Sequence, residues 1–285
     1  MKKFLLLIFC LSLLTACASN PNTSSDGSNT DMNVERMFAQ TFAAVEDMNS
    51  FHTEIDFSQD ISFPVDGTSR QQNIQTNTAA DVHTQPNRAM YLEQTFQIPE
   101  VQEESTTETY ITPEGFFTYD PIQHTWLTTS EEQAMERSNI YEEQMFASAQ
   151  IDDIRTVLSQ EGWTVQKNDT DWVLSYNEPT EQAKKYIVNH LNPNFVLSGG
   201  HSAGVSYQQL DLQNFTLNIN IDRDTLVPST ITTSFEMTST AEGSATEQLS
   251  QAIKITYSNW NEAKQVQLPE SVQESAQMVS LSVIP

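Results

Sequence analysis

Most of the chain follows the period-two alternation of apolar and polar residues that is typical of β-strands. In the N-terminal half the alternation covers residues 51–63, 90–98 and 106–119, and the polar segment 70–84 tolerates an extended backbone. Strands with one apolar and one polar face are typical of antiparallel sheets that bury a single face. This half therefore predicts an antiparallel meander, with its last hairpin around Pro113-Glu114.

The alternation is clearest towards the C-terminus. Residues 215–221, 227–237 and 249–257 carry apolar side chains at every second position, and the polar turn Asp222-Arg223-Asp224-Thr225 separates the first two segments. Short connections between alternating segments predict a three-stranded antiparallel meander. Two shorter apolar runs within residues 163–176 predict a further hairpin.

Apolar side chains at three- and four-residue steps predict four helices. These helices cover residues 34–49, 131–146, 151–158 and 179–191. Ser130 is the expected N-cap of the second helix, with Gln133 at the capping-box position, and Gly162 is expected to close the third. The tail from Gln267 onward has little regular pattern, so we predict no element there.

Together these elements predict the α+β class, in which one large, curved antiparallel sheet has its apolar face covered by a few helices. Strand and helix do not alternate strictly, which disfavours a doubly wound α/β fold. Four tryptophans lie among the predicted strands, namely Trp126, Trp163, Trp172 and Trp260. One interpretation is ordinary core packing. The alternative is that the helices cover the sheet incompletely and leave an apolar groove.

The N-terminus predicts where the protein is located. Two lysines precede an apolar run over residues 4–14, which is shorter than the ~20 residues that a membrane span requires. The following Leu14-Thr15-Ala16-Cys17 resembles the lipobox of bacterial lipoproteins, whose cysteine is diacylated after cleavage. Two acyl chains suffice for stable anchoring. The resemblance implies a lipoprotein signal peptide over residues 1–16 and lipid attachment at Cys17, on the extracytoplasmic face of the cell membrane.

The segment after Cys17 divides the remaining chain into two parts. Residues 17–33 are rich in Ser, Asn, Thr and Asp, which predicts a flexible polar tether. Residues 34–285 are then expected to form a single β-rich domain.

The chain has two cysteines, of which Cys10 lies in the predicted signal peptide. The folded domain would therefore lack thiols, which excludes disulfides, thiolate metal sites and cysteine nucleophiles.

The net charge of −25 at pH 7 argues against partners that are themselves strongly anionic. A field of this sign repels nucleic acid and anionic lipid headgroups, so we expect no nucleic-acid partner. Five histidines are scattered singly, without the spacing of metal ligands. Paired acids such as Asp152-Asp153 are interpreted as solvated faces, and Asp222-Arg223-Asp224 as a hairpin turn because it lacks the continuation of a calcium loop. We predict no metal site and no cofactor.

One motif suggests catalysis. Gly200-His201-Ser202-Ala203-Gly204 matches the nucleophile elbow of α/β-hydrolases, in which a strand-to-helix turn exposes the serine. Here the next residues are predicted to form a strand, and no histidine follows Ser202, so the chain order of that family's triad cannot be completed. We therefore predict no catalytic residues and interpret the motif as a glycine-rich loop.

Three segments carry a resemblance to a known family. They are MNSFHTEIDF at 48–57, ETYITPEGFFTYDPIQHTW at 108–126 and QLPESVQESA at 267–276. With the lipobox, tether and alternating strands, they make the chain similar to DUF6612-type lipoproteins of Gram-positive bacteria and, more remotely, to the LolA/LppX-like lipoprotein superfamily. The resemblance implies a half-barrel with helices against its concave face. The remote relatives carry acyl chains or lipoproteins in that cavity, but no functional residue can be transferred.

Two hypotheses of function follow. The first is a membrane-anchored, non-enzymatic lipoprotein that binds a hydrophobic ligand, such as a lipid or acyl chain, between sheet and helices. The second is a cell-surface interaction or sensory-accessory lipoprotein that contacts an envelope protein and has no small-molecule ligand. The sequence identifies no ligand-binding residues.

Overall fold

The structure is a computed structural model and describes residues 33–65, 68–98, 103–158, 161–191, 210–239 and 246–279. The predicted signal peptide, Cys17 and the Ser202 motif lie outside the described residues. In the described part of the chain, no helix is both long and apolar enough to cross a membrane.

Five helices and twelve strands make up the described fold. The helices are α1 Val34–Glu46, α2 Glu131–Met145, α3 Ala147–Val157, α4 Glu181–His190 and α5 Glu270–Ser275. The first six strands are β1 Ser50–Val65, β2 Thr68–His83, β3 Ala89–Ile98, β4 Glu103–Thr112, β5 Gly115–Asp120 and β6 Thr125–Thr128. The others are β7 Trp163–Lys167, β8 Asp171–Tyr176, β9 Leu210–Asp222, β10 Pro228–Ser239, β11 Glu247–Ser258 and β12 Gln277–Met278.

All twelve strands join one sheet, in the order β12-β6-β5-β4-β3-β2-β1-β11-β10-β9-β8-β7. Strands β1–β6 form one antiparallel meander and β7–β11 a second. The two meet where β1 pairs with β11, in a register that places Ile55 opposite Ile255 and Phe57 opposite Ile253. The short β12 pairs with β6 in parallel and is the exception among the described pairings. The predicted α+β class with a large antiparallel sheet is confirmed.

The alternation of side chains divides the sheet into an inner face, on which the helices pack, and an outer face. Fully buried apolar residues recur at every second position along the inner face. Examples are Phe51, Leu92, Leu174, Leu217, Ile219, Ile231 and Phe235. Burial of each such side chain contributes roughly 1.5–3 kcal/mol, so this face is the main source of stability in the described residues, which include no cysteine.

The sheet order explains why α2 and α3 cross the inner face. They connect β6 to β7, which lie towards opposite edges and ten strand positions apart. The connection between these two strands therefore runs across the sheet, and it contains α2 and α3.

Side chains cap three helices where the sequence favours it. Asn33 Oδ1 accepts from Arg36 N at 2.8 Å, and Thr180 Oγ1 accepts from Ala183 N at 3.1 Å. Ser130 Oγ accepts from Gln133 N at 3.4 Å, which confirms the predicted cap of α2. Each oxygen satisfies a backbone N–H that lacks a partner within its helix.

Two details of the prediction are wrong. Gly162 does not close α3, which ends at Val157, because Gly162 instead has a φ of 88° immediately before β7. The tail is not irregular, since it forms α5 and β12. A two-residue strand and a six-residue helix are too short to produce a periodic signal, and their positions depend on contact with β6.

Candidate ligand cavity

A cavity of about 170 Å³ lies between the inner face and helices α2, α3 and α4. Its floor is formed by the central rungs of β1 and β11, with Ile55, Phe57, Ile253 and Ile255. Three of these residues, Ile55, Phe57 and Ile253, are only half-buried. The alternative interpretation from the sequence, in which part of the apolar face is left uncovered, therefore describes this region.

Helix α2 forms the roof through Tyr141, Gln144 and Met145. The Tyr141 ring stacks on Phe116 with 6.2 Å between centroids. Burial raises the pKa of Tyr141, and this outweighs the opposite effect of nearby Arg137. The phenol consequently stays neutral at physiological pH and belongs to the wall rather than to a charged site.

An ion pair holds the end of α2 that covers the cavity. Arg88, in the loop between β2 and β3, contacts the carboxylate of Glu142. Ser138 Oγ donates to the other carboxylate oxygen of Glu142 at 3.3 Å. The roof is thus fastened by polar contacts near the surface, which contribute less than apolar packing.

Several polar side chains of the wall are already paired with protein groups. Gln94 Nε2 donates to Thr78 Oγ1 at 3.2 Å. Gln150 Nε2 donates to the Glu143 carbonyl at 2.7 Å, which joins α3 to the end of α2. These bonds fix the wall and offset the cost of placing amides beside apolar groups.

His190, the last residue of α4, also lines the cavity. Its Nδ1 lies 2.9 Å from Asp153 Oδ2 of α3, and its ring stacks on Tyr186 with centroids 5.6 Å apart. The sequence pattern predicts an isolated histidine at His190 and a solvated face at Asp152-Asp153. That interpretation is wrong for Asp153, because the packing of α3 against α4 pairs two residues that are distant in sequence.

Comparison with known proteins places the chain in a family. A model described as "Family of unknown function (DUF6612)" matches residues 33–277. The chain belongs to this family. The predicted resemblance is confirmed, although the family's description carries no activity. No curated protein matches the chain.

Solved structures similar to this DUF6612 chain include three with low sequence identity. LprF from Mycobacterium bovis is 13% identical with a TM-score of 0.42, over 83% of this chain and 95% of that one. A DUF1329 family protein from Desulfovibrio piger is 11% identical with a TM-score of 0.24, over 84% and 95%. A LolA superfamily protein from Nitrosomonas europaea is 8% identical with a TM-score of 0.19, over 85% and 97%.

A larger cleft of about 460 Å³ lies along the outer face of the DUF6612 domain. Polar residues of β1, β2, β10 and β11 dominate its lining, and Asn77 Nδ2 donates to Asp56 Oδ1 at 2.7 Å within it. This cleft is shaped by the curvature of a polar surface whose groups bond to one another. Phe57 and Ile253 also border this cleft, but the smaller cavity is the better candidate because the sheet encloses it on one side and helices α2, α3 and α4 on the other.

The remaining candidate residues have structural surroundings. On the outer face His52 Nδ1 lies 2.8 Å from Asp81 Oδ1, and His83 Nε2 lies 3.0 Å from the Lys264 carbonyl. Asp222 is the acceptor of a hairpin turn, as predicted, because its Oδ1 accepts from Thr225 Oγ1 at 2.7 Å. Within the described ranges no group of three or more His, Cys, Asp or Glu could hold a metal ion.

Proposed function

We propose that this DUF6612 protein is an extracytoplasmic lipoprotein, anchored through an acylated Cys17, that holds a hydrophobic ligand between its sheet and helices without catalysing a reaction. The ligand class is an alkyl or acyl chain. The observation that carries this proposal is the half-buried floor of Ile55, Phe57 and Ile253 beneath α2. Apolar side chains that the fold leaves uncovered favour an apolar occupant, because removing apolar surface from water lowers the free energy.

The volume of the cavity limits what it holds without rearrangement. A dry protein cavity of about 150 Å³ accommodates one benzene molecule, and the cavity here measures about 170 Å³. A short stretch of alkyl chain therefore fits beneath α2 without movement of the helix. A longer chain requires α2 to move away from the floor. This movement breaks the ion pair between Arg88 and Glu142, which costs little free energy because the pair is near the surface.

Photolabelling tests the cavity as the binding site. Full-length acylated protein in lipid nanodiscs would be irradiated with a short aliphatic diazirine that has no polar head, and labelled peptides would be mapped by mass spectrometry. Peptides with Phe57, Met145 and Ile253 are expected to be labelled. Ile253→Trp fills the cavity and should abolish their labelling, whereas Ala252→Trp, on the exposed outer face of the same strand, should not.

Two results would reject the cavity proposal. One is labelling confined to surface peptides in the unaltered protein. The other is equal labelling of the floor peptides in both tryptophan variants. Overpacking can destabilise a protein by about 1–3 kcal/mol, so thermal unfolding of both variants must show a folded domain before labelling is compared.

The anchor requires a separate test. Cells fed radiolabelled palmitate are expected to label the unaltered protein but not a Cys17→Ala variant, and the variant should leave the membrane fraction. Equal labelling of the two proteins would reject Cys17 as the lipid attachment site, without bearing on the cavity.

A second candidate function, contact with an envelope protein, is supported by an aromatic group on the outer face. It is formed by Tyr91, Tyr110, Tyr119 and Trp126, whose neighbouring rings lie 4.8–5.7 Å apart. Ile122, 89% exposed, lies in the adjacent β5–β6 turn. Crosslinking from position 122 in intact cells would test this function, and loss of a defined crosslink in Trp126→Ala would support it. Absence of any defined crosslink would reject it.

A further inference from the structure

Resting on the second candidate function, we infer that the aromatic group on the outer face binds arginine side chains presented by an envelope protein. The inference deepens that function because it specifies the chemistry of the partner's surface. It is supported by three features of this face, namely its partly open rings, two carboxylates beside them, and the negative field that these carboxylates create.

The strand register gathers the aromatic group from four neighbouring strands. Tyr91 of β3 lies directly opposite Tyr110 of β4, and Tyr119 of β5 lies opposite Trp126 of β6. Neighbouring rings are tilted by 41–59°, and all four side chains are only half-buried. Part of the aromatic surface is therefore left open to a group from another molecule.

Two glutamates lie beside the aromatic group on the same face. Glu93 of β3 and Glu108 of β4 are directly opposite each other, two residues along from the pair of Tyr91 and Tyr110. Glu108 Oε2 accepts from Tyr91 Oη at 3.0 Å. Among the described residues, neither carboxylate forms an ion pair. Like charges directly opposite each other destabilise a sheet, and a bound cation would offset that cost.

The negative field of these glutamates extends to the rings. Burial, the hydrogen bond to Glu108 and the charges of Glu108 and Glu93 raise the pKa of Tyr91. Burial and the charge of Glu108 likewise raise the pKa of Tyr110. Both phenols therefore stay neutral at physiological pH and keep the negative ring faces that attract cations. The carboxylates add to that attraction.

Two other aromatic rings of this chain already have a cation over them. Lys167 Nζ lies 5.3 Å from the ring centroid of Trp172, and Arg155 Cζ lies 5.4 Å from that of Phe42. In the part of the chain that the structure describes, no Lys or Arg lies over the aromatic group in this way. The group combines open rings with carboxylates, so the complementary cation has to come from a partner.

Arginine suits this face better than lysine does. Its planar guanidinium stacks on aromatic rings while its N–H groups donate in pairs to carboxylates, whereas the lysine ammonium is a compact and strongly hydrated charge. Ile122, in the adjacent turn, is 89% exposed and adds an apolar contact that favours a protein surface over a free amino acid. The net charge of −25 attracts basic partners over a longer range.

Titration with matched peptides tests the inference. Full-length acylated protein carrying 5-fluorotryptophan would be placed in phosphatidylcholine nanodiscs, whose headgroups have no net charge, and observed by fluorine NMR at pH 7.5. The chain has four tryptophans, and Trp126→Phe identifies the Trp126 resonance. A short glycine–arginine peptide should shift this resonance saturably. The lysine counterpart should bind roughly two- to five-fold more weakly. The citrulline counterpart, which keeps the shape but not the charge, should bind roughly ten-fold more weakly.

Matched substitutions locate the site. Glu93→Gln and Glu104→Gln each remove one exposed carboxylate from the outer face, but Glu104 lies opposite Gln97, about 14 Å along β4 from Glu108. Glu93→Gln should weaken binding of the arginine peptide roughly three- to ten-fold, whereas Glu104→Gln should change it by less than about two-fold because of screening. Glu93→Gln should also unfold at the same or a higher temperature, since it removes a repulsive pair. Weaker binding then does not reflect a loss of folding.

The outcomes separate this inference from the contact function. Equal binding of the arginine and citrulline peptides, tighter binding of the lysine peptide, or equal losses in Glu93→Gln and Glu104→Gln would overturn the arginine assignment. In intact cells Glu93→Gln should weaken the crosslink from position 122, and Glu104→Gln should not. A defined crosslink that both variants retain in full would overturn arginine recognition while the contact itself stands. Absence of any defined crosslink would instead reject the contact function.

Discussion

Two regions of one inner-face surface, formed by the same pair of strands, differ in how they are covered. At the first end Phe51 and Tyr257 are almost completely buried, and Phe51 contacts the rings of Phe146 and Trp260 at 6.0 and 5.1 Å. Further along the strands, Phe57 and its neighbours are only half-buried over the cavity. Similar side chains in the same strands thus serve as core at one end and as cavity floor at the centre.

The covering helices explain the difference. Helices α1 and α3 each bury four residues, including Phe38 and Ile151, so each has a face that packs closely on its surroundings. Of the 15 residues of α2, Met145 is the one that is buried, and the remainder is rich in glutamate. A helix without an apolar stripe gains little by packing closely on a sheet. The floor stays open because the sequence above it is polar.

The largest expected effect separates these two regions by stability. Phe51→Ala should reduce the free energy of unfolding by about 3–5 kcal/mol, because it leaves a cavity among fixed aromatic rings. Ile253→Ala should cost only about 1 kcal/mol, because its side chain already borders empty space. Denaturant unfolding monitored by circular dichroism measures both. Equal costs would show that the floor is packed as tightly as the sealed end.

The next effect concerns two buried tyrosine hydroxyls. Tyr176 OH lies 2.9 Å from Thr180 Oγ1, so Tyr176→Phe should cost about 1 kcal/mol. The buried Tyr257 OH has no hydrogen-bond partner among the described residues, so Tyr257→Phe should leave the free energy of unfolding unchanged or raise it by up to about 1 kcal/mol. Chemical denaturation compares the pair. A larger loss for Tyr257→Phe would indicate that its hydroxyl is satisfied in solution.

A smaller effect tests the fastening of the roof. Arg88→Ala removes the contact with Glu142 and should lower global stability by less than about 1 kcal/mol, since the Arg88 side chain is 66% exposed. Amide hydrogen exchange in α2 should nevertheless accelerate, while exchange in α3 should not. Arg155→Ala, which removes a contact with Asp152 within α3, serves as the matched control. Equal acceleration in α2 by both variants would mean that Arg88 does not restrain the roof.

The smallest effect is dependence on pH at the β9–β10 turn. Hydrogen bonds from Thr225, and then from the Asp224 backbone, lower the pKa of Asp222. Because the folded pKa lies below the unfolded value of about 3.9, the stabilisation is present above that value and is lost as the pH falls through the folded pKa. The difference in melting temperature between unaltered protein and Asp222→Asn should therefore shrink in acid. A difference independent of pH would contradict this.

Local sequence was sufficient to predict most individual elements. Backbone pleating places alternate side chains on opposite faces whatever the strand pairs with, so residues such as Phe215 and Ile219 revealed β9 directly. The cap at Ser130 was predictable for the same reason, because the bond to Gln133 spans three residues. The short β12 was not predictable, since two residues carry no period and its position depends on β6.

The sequence by itself determined that this protein builds a one-faced antiparallel sheet with polar and apolar helices, because propensity and periodicity act over a few residues. Only the tertiary structure decided that β1 joins β11 some two hundred residues away, that the polar helix α2 lies over their centre, and that Asp153 meets His190 beside the gap. Those contacts depend on how a curved sheet and the helices that cross it fill space together. No local segment encodes that arrangement, and the candidate site depends on it.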